Sequence, residues 1–279
     1  MDNSFPAIIL ALSAAAAWGS GDFSNGTAAR RIGPFRSVLV SYSFGLIALV
    51  IVALARMEFL PLPIDMFWGA LAGLSGMVGI IFLLRGFSVG RMGIVAPVSA
   101  VVGTAIPVIF AVFTEGLPRQ LQLAGFAVAL VGIWLLNRPE GDAGRPAGVG
   151  MAMVAGMGFA GFFIALAQVS KSAIFWPLVA GRISTCAALL VFALATRRHI
   201  LPPVSAVGLL AAAGVLDVGG NLFFLLAIQS GRLDIATVLG SLYPAVTTIL
   251  ARVIHKERMT GLQVLGVGVS VLSIILITI

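Results

Sequence analysis

Charge is what this sequence has least of. Only 10% of its 279 residues are Asp, Glu, Lys or Arg, against 60% that are hydrophobic. A water-soluble domain carries about 25% charged residues, so water is not the main solvent of this chain. Its mean hydropathy of +1.12 belongs to an integral membrane protein. The apolar runs are long and lack the alternation that barrel strands need, which implies helices. Cysteine is nearly absent too: Cys186 stands alone, so no internal disulfide can form. Histidine is almost as rare, and both His199 and His255 fall in or beside loops. The sequence has no His/Cys cluster for a metal, no glycine-rich phosphate loop and no cofactor motif. Neither a metal nor a cofactor is therefore expected. The formal charge of +7 comes mostly from Arg in short loops, an orientation signal and not a nucleic-acid surface.

What the chain does contain is itself, twice. Residues 90–136 read GRMGIVAPVSAVVGTAIPVIFAVFTEGLPRQLQLAGFAVALVGIWLL, and residues 231–277 read GRLDIATVLGSLYPAVTTILARVIHKERMTGLQVLGVGVSVLSIILI. A shift of 141 residues superposes Gly90 on Gly231, Arg91 on Arg232, Gly125 on Gly266 and Val128 on Val269. A duplication of about half the chain sets the architecture before any helix is counted.

A bilayer core of ~30 Å takes roughly 20 residues of helix to cross. Runs of that kind lie near 6–28, 37–55, 66–88, 93–113 and 120–137, then near 148–168, 175–196, 204–228, 234–254 and 261–278. The first run offers small residues at SAAAA, as a signal peptide does. The stretch before it carries Asp2 and no Lys or Arg, so it is read as a retained helix. The organisation expected is a five-helix repeat over 1–137, a polar linker over 138–147 and a second repeat over 148–279.

Five is odd, so consecutive copies enter the bilayer from opposite sides. The loop charges agree. Arg30, Arg31, Arg36 and Arg91 follow the first and third helices, whereas only Arg56 and Arg119 follow the second and fourth. The second half reverses this, with Lys171 and Arg232 set against Arg197, Arg198, Lys256 and Arg258. With Arg138 and Arg145 of the linker, one face collects ten cations and the other four. That is the charge pattern of an inverted repeat, and by the positive-inside rule it puts both termini outside the cytoplasm.

An ionised side chain at mid-bilayer costs about 2.5–3.5 kcal/mol on insertion scales, so each one needs a reason. Asp217 sits near the middle of the eighth helix with Asn221 one turn on, on the same face. A packing pair and a cavity-lining site for substrate or a coupling proton are both open, and the cavity is favoured. Asp22 lies between Trp18 and Asn25 on a face that is aromatic and polar together; pairing with Arg30 or Arg31 is its equal alternative. Arg182 has no acid beside it in sequence, and must pair across helices, meet an anionic group or snorkel outward. Arg85 and Arg252 lie near span ends, where snorkelling accounts for both. Pro97 and Pro107 are expected to interrupt the fourth helix, and Pro244 the ninth, beside Tyr243. Broken helices at corresponding positions of two halves point to a binding site between them. In-span glycines such as Gly69, Gly73, Gly76, Gly156 and Gly158 fit close helix packing. Residues 73–76 spell GLSG, the form of intramembrane serine proteases, but no in-span histidine can act as base for Ser75. An enzyme is not expected.

These residues resemble the EamA repeat of the drug/metabolite transporter superfamily. Trp18-Gly19-Ser20 is similar to the family's W-G-S opening. The segments FAVFTEGLPRQLQLAGFAVALVGIWLL and VLGSLYPAVTTILARVIHKERMTGLQVLGVGVSVLSIIL resemble its helix 4–5 signature, with Glu115 and Glu257 at the acidic position. Arg182 matches an arginine common in the family's second helix, and the first half departs from this with Ser41. The resemblance implies an all-α, ten-helix carrier of two inverted five-helix repeats around a central cavity, working by alternating access. It further implies export of amino acids, other small metabolites or toxic compounds across a cell inner membrane. The family's usual cytoplasmic termini disagree with the loop charges above. The expected partners are a small-molecule substrate, the lipid bilayer and candidate coupling protons, with the chain a monomer or homodimer. Trp18, Asp22, Asn25, Arg182, Asp217, Asn221 and Tyr243 are the expected cavity wall. A non-transporting receptor, an assembly factor or a channel is the alternative.

Overall fold

The computed structural model describes residues 4–89, 92–136, 148–197, 199–256 and 260–278, and all regular structure among them is helical. The linker, Arg91, Arg198, Glu257 and Arg258 lie outside the described residues. The first repeat comprises α1 (Ser4–Ile32), α2 (Pro34–Ala55), α3 (Pro63–Val89), α4 (Met92–Glu115) and α5 (Gln120–Leu136). The second comprises α6 (Val149–Ala167), α7 (Phe175–Ala195), α8 (Val204–Ser230), α9 (Leu233–Gly240), α10 (Tyr243–Ile254) and α11 (Gly261–Thr278). Helices α9 and α10 form a single span, Leu233–Ile254. Nine described helical spans are long and apolar enough to cross a bilayer. The tenth, α5, has 17 residues, the shortest length that suffices. Side chains such as Ile51, Phe113, Val191 and Leu272 lie bare on the outside, as lipid-facing residues do.

The repeat is visible residue by residue. Helices α3 and α8 are offset by 141 at both ends. Helices α5 and α11 hold the same place in the two halves, and they meet running in opposite directions. Gly125 lies against Ile277, Gly132 against Ser270, and Leu136 against Gly266. Equivalent helices can pass antiparallel only if the dyad relating them is perpendicular to their axes. The two halves are therefore inverted. Helices α2 and α7 repeat the lesson, with Phe35 against Phe192 and Tyr42 against Arg182. The dyad also interlocks the halves, since α1 packs on α8 and α3 on α6, each helix against the other repeat.

Two expected breaks in α4 are corrected. The helix runs unbroken from Met92 to Glu115 through Pro97 and Pro107. Each proline removes one backbone hydrogen bond, and the helix continues past both. The ninth span does break, at the turn Ser241–Leu242, and Pro244 opens the helix that follows. Its missing N–H is harmless in the first turn of α10, where no intrahelical partner exists.

The end that carries both described termini is tied across the repeats by acids of the first half. Glu58 accepts hydrogen bonds from the backbone N–H groups of Ile174 (2.7 Å), Phe175 (2.9 Å) and Trp176 (3.2 Å). It thereby caps α7, which has no side-chain cap of its own. Asp65 accepts from the Ser170 backbone N–H at 2.7 Å and from its hydroxyl at 3.0 Å. Glu115 accepts from the Leu233 N–H at the start of α9, and Arg232 donates to the Glu115 and Gly116 carbonyls and to Asp234. At the 141-residue shift Glu58 and Asp65 fall on His199 and Ala206, which are not acids, while Glu115 falls on Lys256, next to the Glu257 that shares its place in the signature.

Close approach through glycine joins the repeats at mid-membrane. A Cβ on Gly73 would land on the Gly181 carbonyl, and one on its counterpart Gly214 would land on the Ser41 carbonyl. Overpacking of this kind costs about 1–3 kcal/mol. Gly73→Ala and Gly214→Ala should each lower the melting temperature of the detergent-solubilised protein. Gly268→Ala, where the new methyl meets nothing within 4 Å, should leave it unchanged.

Candidate functional site

The interlocked repeats leave a hollow of about 1190 Å³, counting the space at its mouth, between α1, α3, α4, α6, α7 and α8. Its charged wall is built on α7 and α8. The Arg182 guanidinium donates to the Asp217 carboxylate in an ion pair, with side chains 7% and 21% exposed. The Tyr42 ring of α2 covers the guanidinium, its centroid 4.0 Å from Cζ, in a cation–π contact. One turn along α8, Asn221 Oδ1 accepts from Trp18 Nε1 at 2.9 Å. Gly220 makes room for that indole, because a Cβ there would fall on the ring. Asp22, one turn beyond Trp18, is exposed to the hollow. No hydrogen bond or ion pair holds its carboxyl among the described residues.

Aromatic rings cluster beside this polar wall. Trp18 lies 6.0 Å from Phe163 and 5.5 Å from Phe224, and Phe162 and Phe163 meet edge to face at 5.4 Å. The dyad explains the division. Asp22, Asp217 and Asn221 correspond, at the 141-residue shift, to Phe163, Gly76 and Ile80, and all six line the same hollow. Duplicate positions have become polar in one place and apolar in the other. The site is amphipathic as a result.

Of the residues expected in the wall, Trp18, Asp22, Arg182, Asp217, Asn221 and Tyr243 line the hollow together. Asn25 does not, and that expectation is corrected. Its Nδ2 donates to Ser41 Oγ at 3.1 Å and its Oδ1 accepts from Ser37 Oγ at 2.6 Å, so both ends of the amide clamp α1 to α2. The expectation that Arg30 or Arg31 neutralises Asp22 is replaced by a carboxyl facing the hollow. Pro107 is buried away from the hollow and Pro244 behind Tyr243, while the side chain of Pro97 lies outside the described set. Ser75 packs against Gly158 and Gly161 of α6 and is a small residue at a helix contact. Sequence reasoning missed Tyr42. A signal existed, since the chain has only two tyrosines and both Tyr42 and Tyr243 line the hollow.

Ten spans in two inverted halves around a central hollow define a multi-pass membrane protein of transporter architecture. The sequence matches the EamA-like transporter family over residues 5–138 and again over 146–279. The chain belongs to that family, within the drug/metabolite transporter superfamily, and its class of substrate is a small solute. A solved structure titled "Crystal structure of protein" superposes with a TM-score of 0.80 at 18% identity, over 98% of this chain and 96% of that one. This likeness is one of fold. No curated protein matches the sequence.

The buried ion pair generates a test. Removing one partner leaves the other charge uncompensated at a cost of about 3–5 kcal/mol, whereas an apolar pair of similar volume is close to neutral. Arg182→Met and Asp217→Leu alone should each depress thermal stability strongly. The double variant should recover most of the loss while failing to bind solute. Single variants that melt like the parent would show that the pair does not hold the bundle.

Proposed function

We propose that the protein is a secondary active exporter of a small amphipathic organic solute, of the amino-acid or related metabolite class, in a cell inner membrane. The observation that carries this reading is the mixed lining of the hollow, in which Asp22, Arg182 and Asp217 stand together with the rings of Trp18, Phe162 and Phe163. Among the described residues Asp22 is the acid with no partner, and it suits a substrate ammonium. Arg182 suits a carboxylate, which has to compete with Asp217 for it. The rings of Trp18 and Phe163 suit an apolar or aromatic body. Export is the direction that family habit favours.

The sequence carries no nucleotide-binding motif, so the driving force is a gradient. Asp22 and Asp217 are the carboxyls placed to exchange a proton with the solute site. Coupling through them makes solute and proton move in opposite directions, each favouring the state the other leaves.

A ligand-stabilisation screen against amino acids and common metabolites should identify a solute that raises the melting temperature of the purified protein. Vesicles loaded with that solute should then show counterflow of its labelled form. Trp18→Ala and Phe163→Ala should each raise the half-saturating concentration by about tenfold, the equivalent of ~1.4 kcal/mol. Asp22→Asn should abolish accumulation driven by a pH gradient. Absence of counterflow with every stabilising solute would reject a carrier in favour of a receptor or assembly factor.

A further inference from the structure

Asp22 borders two spaces. Besides the central hollow it lines a second cavity of about 720 Å³ between α1, α10 and α11. Helices α1 and α10 touch at the inner end of this vestibule, where the Thr247 hydroxyl donates to the Gly19 carbonyl at 3.0 Å. They touch again at its outer end, where Thr27 Oγ1 and His255 Nε2 are 2.9 Å apart. Eight residues of helix, about 12 Å, separate Gly19 from Thr27. Between those contacts the wall carries the small and polar residues Gly26, Thr248, Ala251 and Gln263, together with the Phe23 ring, which lies 4.9 Å from that of His255. The outer end opens at the exposed Arg30, Arg252 and His255, on the cation-rich face opposite the termini. Among the described residues, Asp22 is the only charged one common to the linings of both cavities.

We propose that this vestibule is a proton port, separate from the solute path, through which water carries protons between the face opposite the termini and Asp22. The inference rests on the proton-coupled reading above and adds the route. A hydronium ion in the vestibule transfers its proton to the Asp22 carboxylate, leaving water and a neutral carboxylic acid. The reverse step returns the proton, and no electron moves. Two oxygens on one carboxyl allow contact with vestibule water on one side and with the central hollow on the other. The groups facing Asp22 fit this role from each packed element. Asp217 stands on α8 with Arg182 of α7 bound to it, Tyr42 on α2, and Tyr243 on α10. The port itself adds Arg30 from α1, and Arg252 and His255 from the end of α10. The solute, by contrast, is assigned to the central hollow, which the rings and the ion pair line.

Gly26 offers a way to plug the port without disturbing the bundle, because a Cβ added there meets nothing within 4 Å. The experiment follows the carboxylic-acid infrared band of the purified protein after a pH jump, and so requires no solute. Loss of one band component in Asp22→Asn assigns the signal. Gly26→Leu should slow the appearance of that component by roughly tenfold or more. The second plug, Ala251→Leu, should act in the same direction, while Gly268→Leu, also pointing into open space, should react like the parent. If both plugged proteins are folded and protonate Asp22 at the parental rate, protons arrive through the central hollow and the port is rejected. If Asp22→Asn removes no pH-dependent component, Asp22 does not titrate, and both the port and proton coupling through Asp22 fall.

Discussion

The contact on which the rest of this structure depends is the ion pair of Arg182 and Asp217 in the middle of the bundle. Neither group can face lipid tails, where a charge costs several kcal/mol, so the pair dictates which faces of α7 and α8 turn inward. Two helices with fixed inward faces fix their neighbours. Helix α2 supplies the Tyr42 ring over the guanidinium, and α1 supplies the indole that Asn221 holds one turn away. With no hydrophobic drive between helices in lipid, the remaining grip comes from close backbone packing at sites such as Gly73 and Gly214. Polar groups choose the orientation, and small residues let the helices close around it.

The same pair shows what duplication made possible. A perfectly symmetric pair of repeats presents identical chemistry twice, and a hollow on its dyad is polar or apolar throughout. Here the positions of Asp22, Asp217 and Asn221 are answered by Phe163, Gly76 and Ile80. The position of Arg182 is answered by Ser41, which left the hollow to bind Asn25. Divergence at four pairs of positions is enough to give the cavity a lining that is charged in part and aromatic in part. The fold stays symmetric because the small residues and the helix lengths did not diverge with them.

Much of this was legible in the chain. The number of spans, the repeat and its inversion follow from length, hydropathy and loop charge, which the bilayer turns into hard constraints. Intramembrane Asp217, Asn221 and Arg182 announced themselves because each needs a partner inside the membrane. What could not be read is which face of a helix a polar residue occupies when two faces are plausible. Asn25, three residues from Asp22, is close enough to share its face, yet it turns to α2. The capping of α7 by Glu58 was equally hidden, since donor and acceptor lie more than a hundred residues apart and neither falls in an unusual local pattern. Proline misled for a third reason. The sequence shows a missing donor, but only the surrounding bundle decides whether a helix continues, as through Pro107, or breaks, as before Pro244.

The asymmetry of the two ends bears directly on how such a fold changes state. In an inverted repeat, exchanging the conformations of the halves converts a hollow closed at one end into one closed at the other. Identical halves give those two states equal energy. This chain departs from identity where the ends are tied: Glu58 and Asp65 bind the second repeat at the end bearing the termini, while His199 and Ala206 occupy the equivalent places opposite. Hydrogen bonds to a charged group contribute about 1.5–3 kcal/mol each, so several together favour closure at the acid-bearing end. A ligand reverses such a bias only by its differential affinity for the two states. The exposed, unpartnered Asp22 carboxyl is the charged group in the hollow with interaction energy still to gain. In the resting arrangement Arg182 and Asp217 satisfy each other and have little to offer. Whatever opens the tied end has to make up that difference through its affinity for the open state.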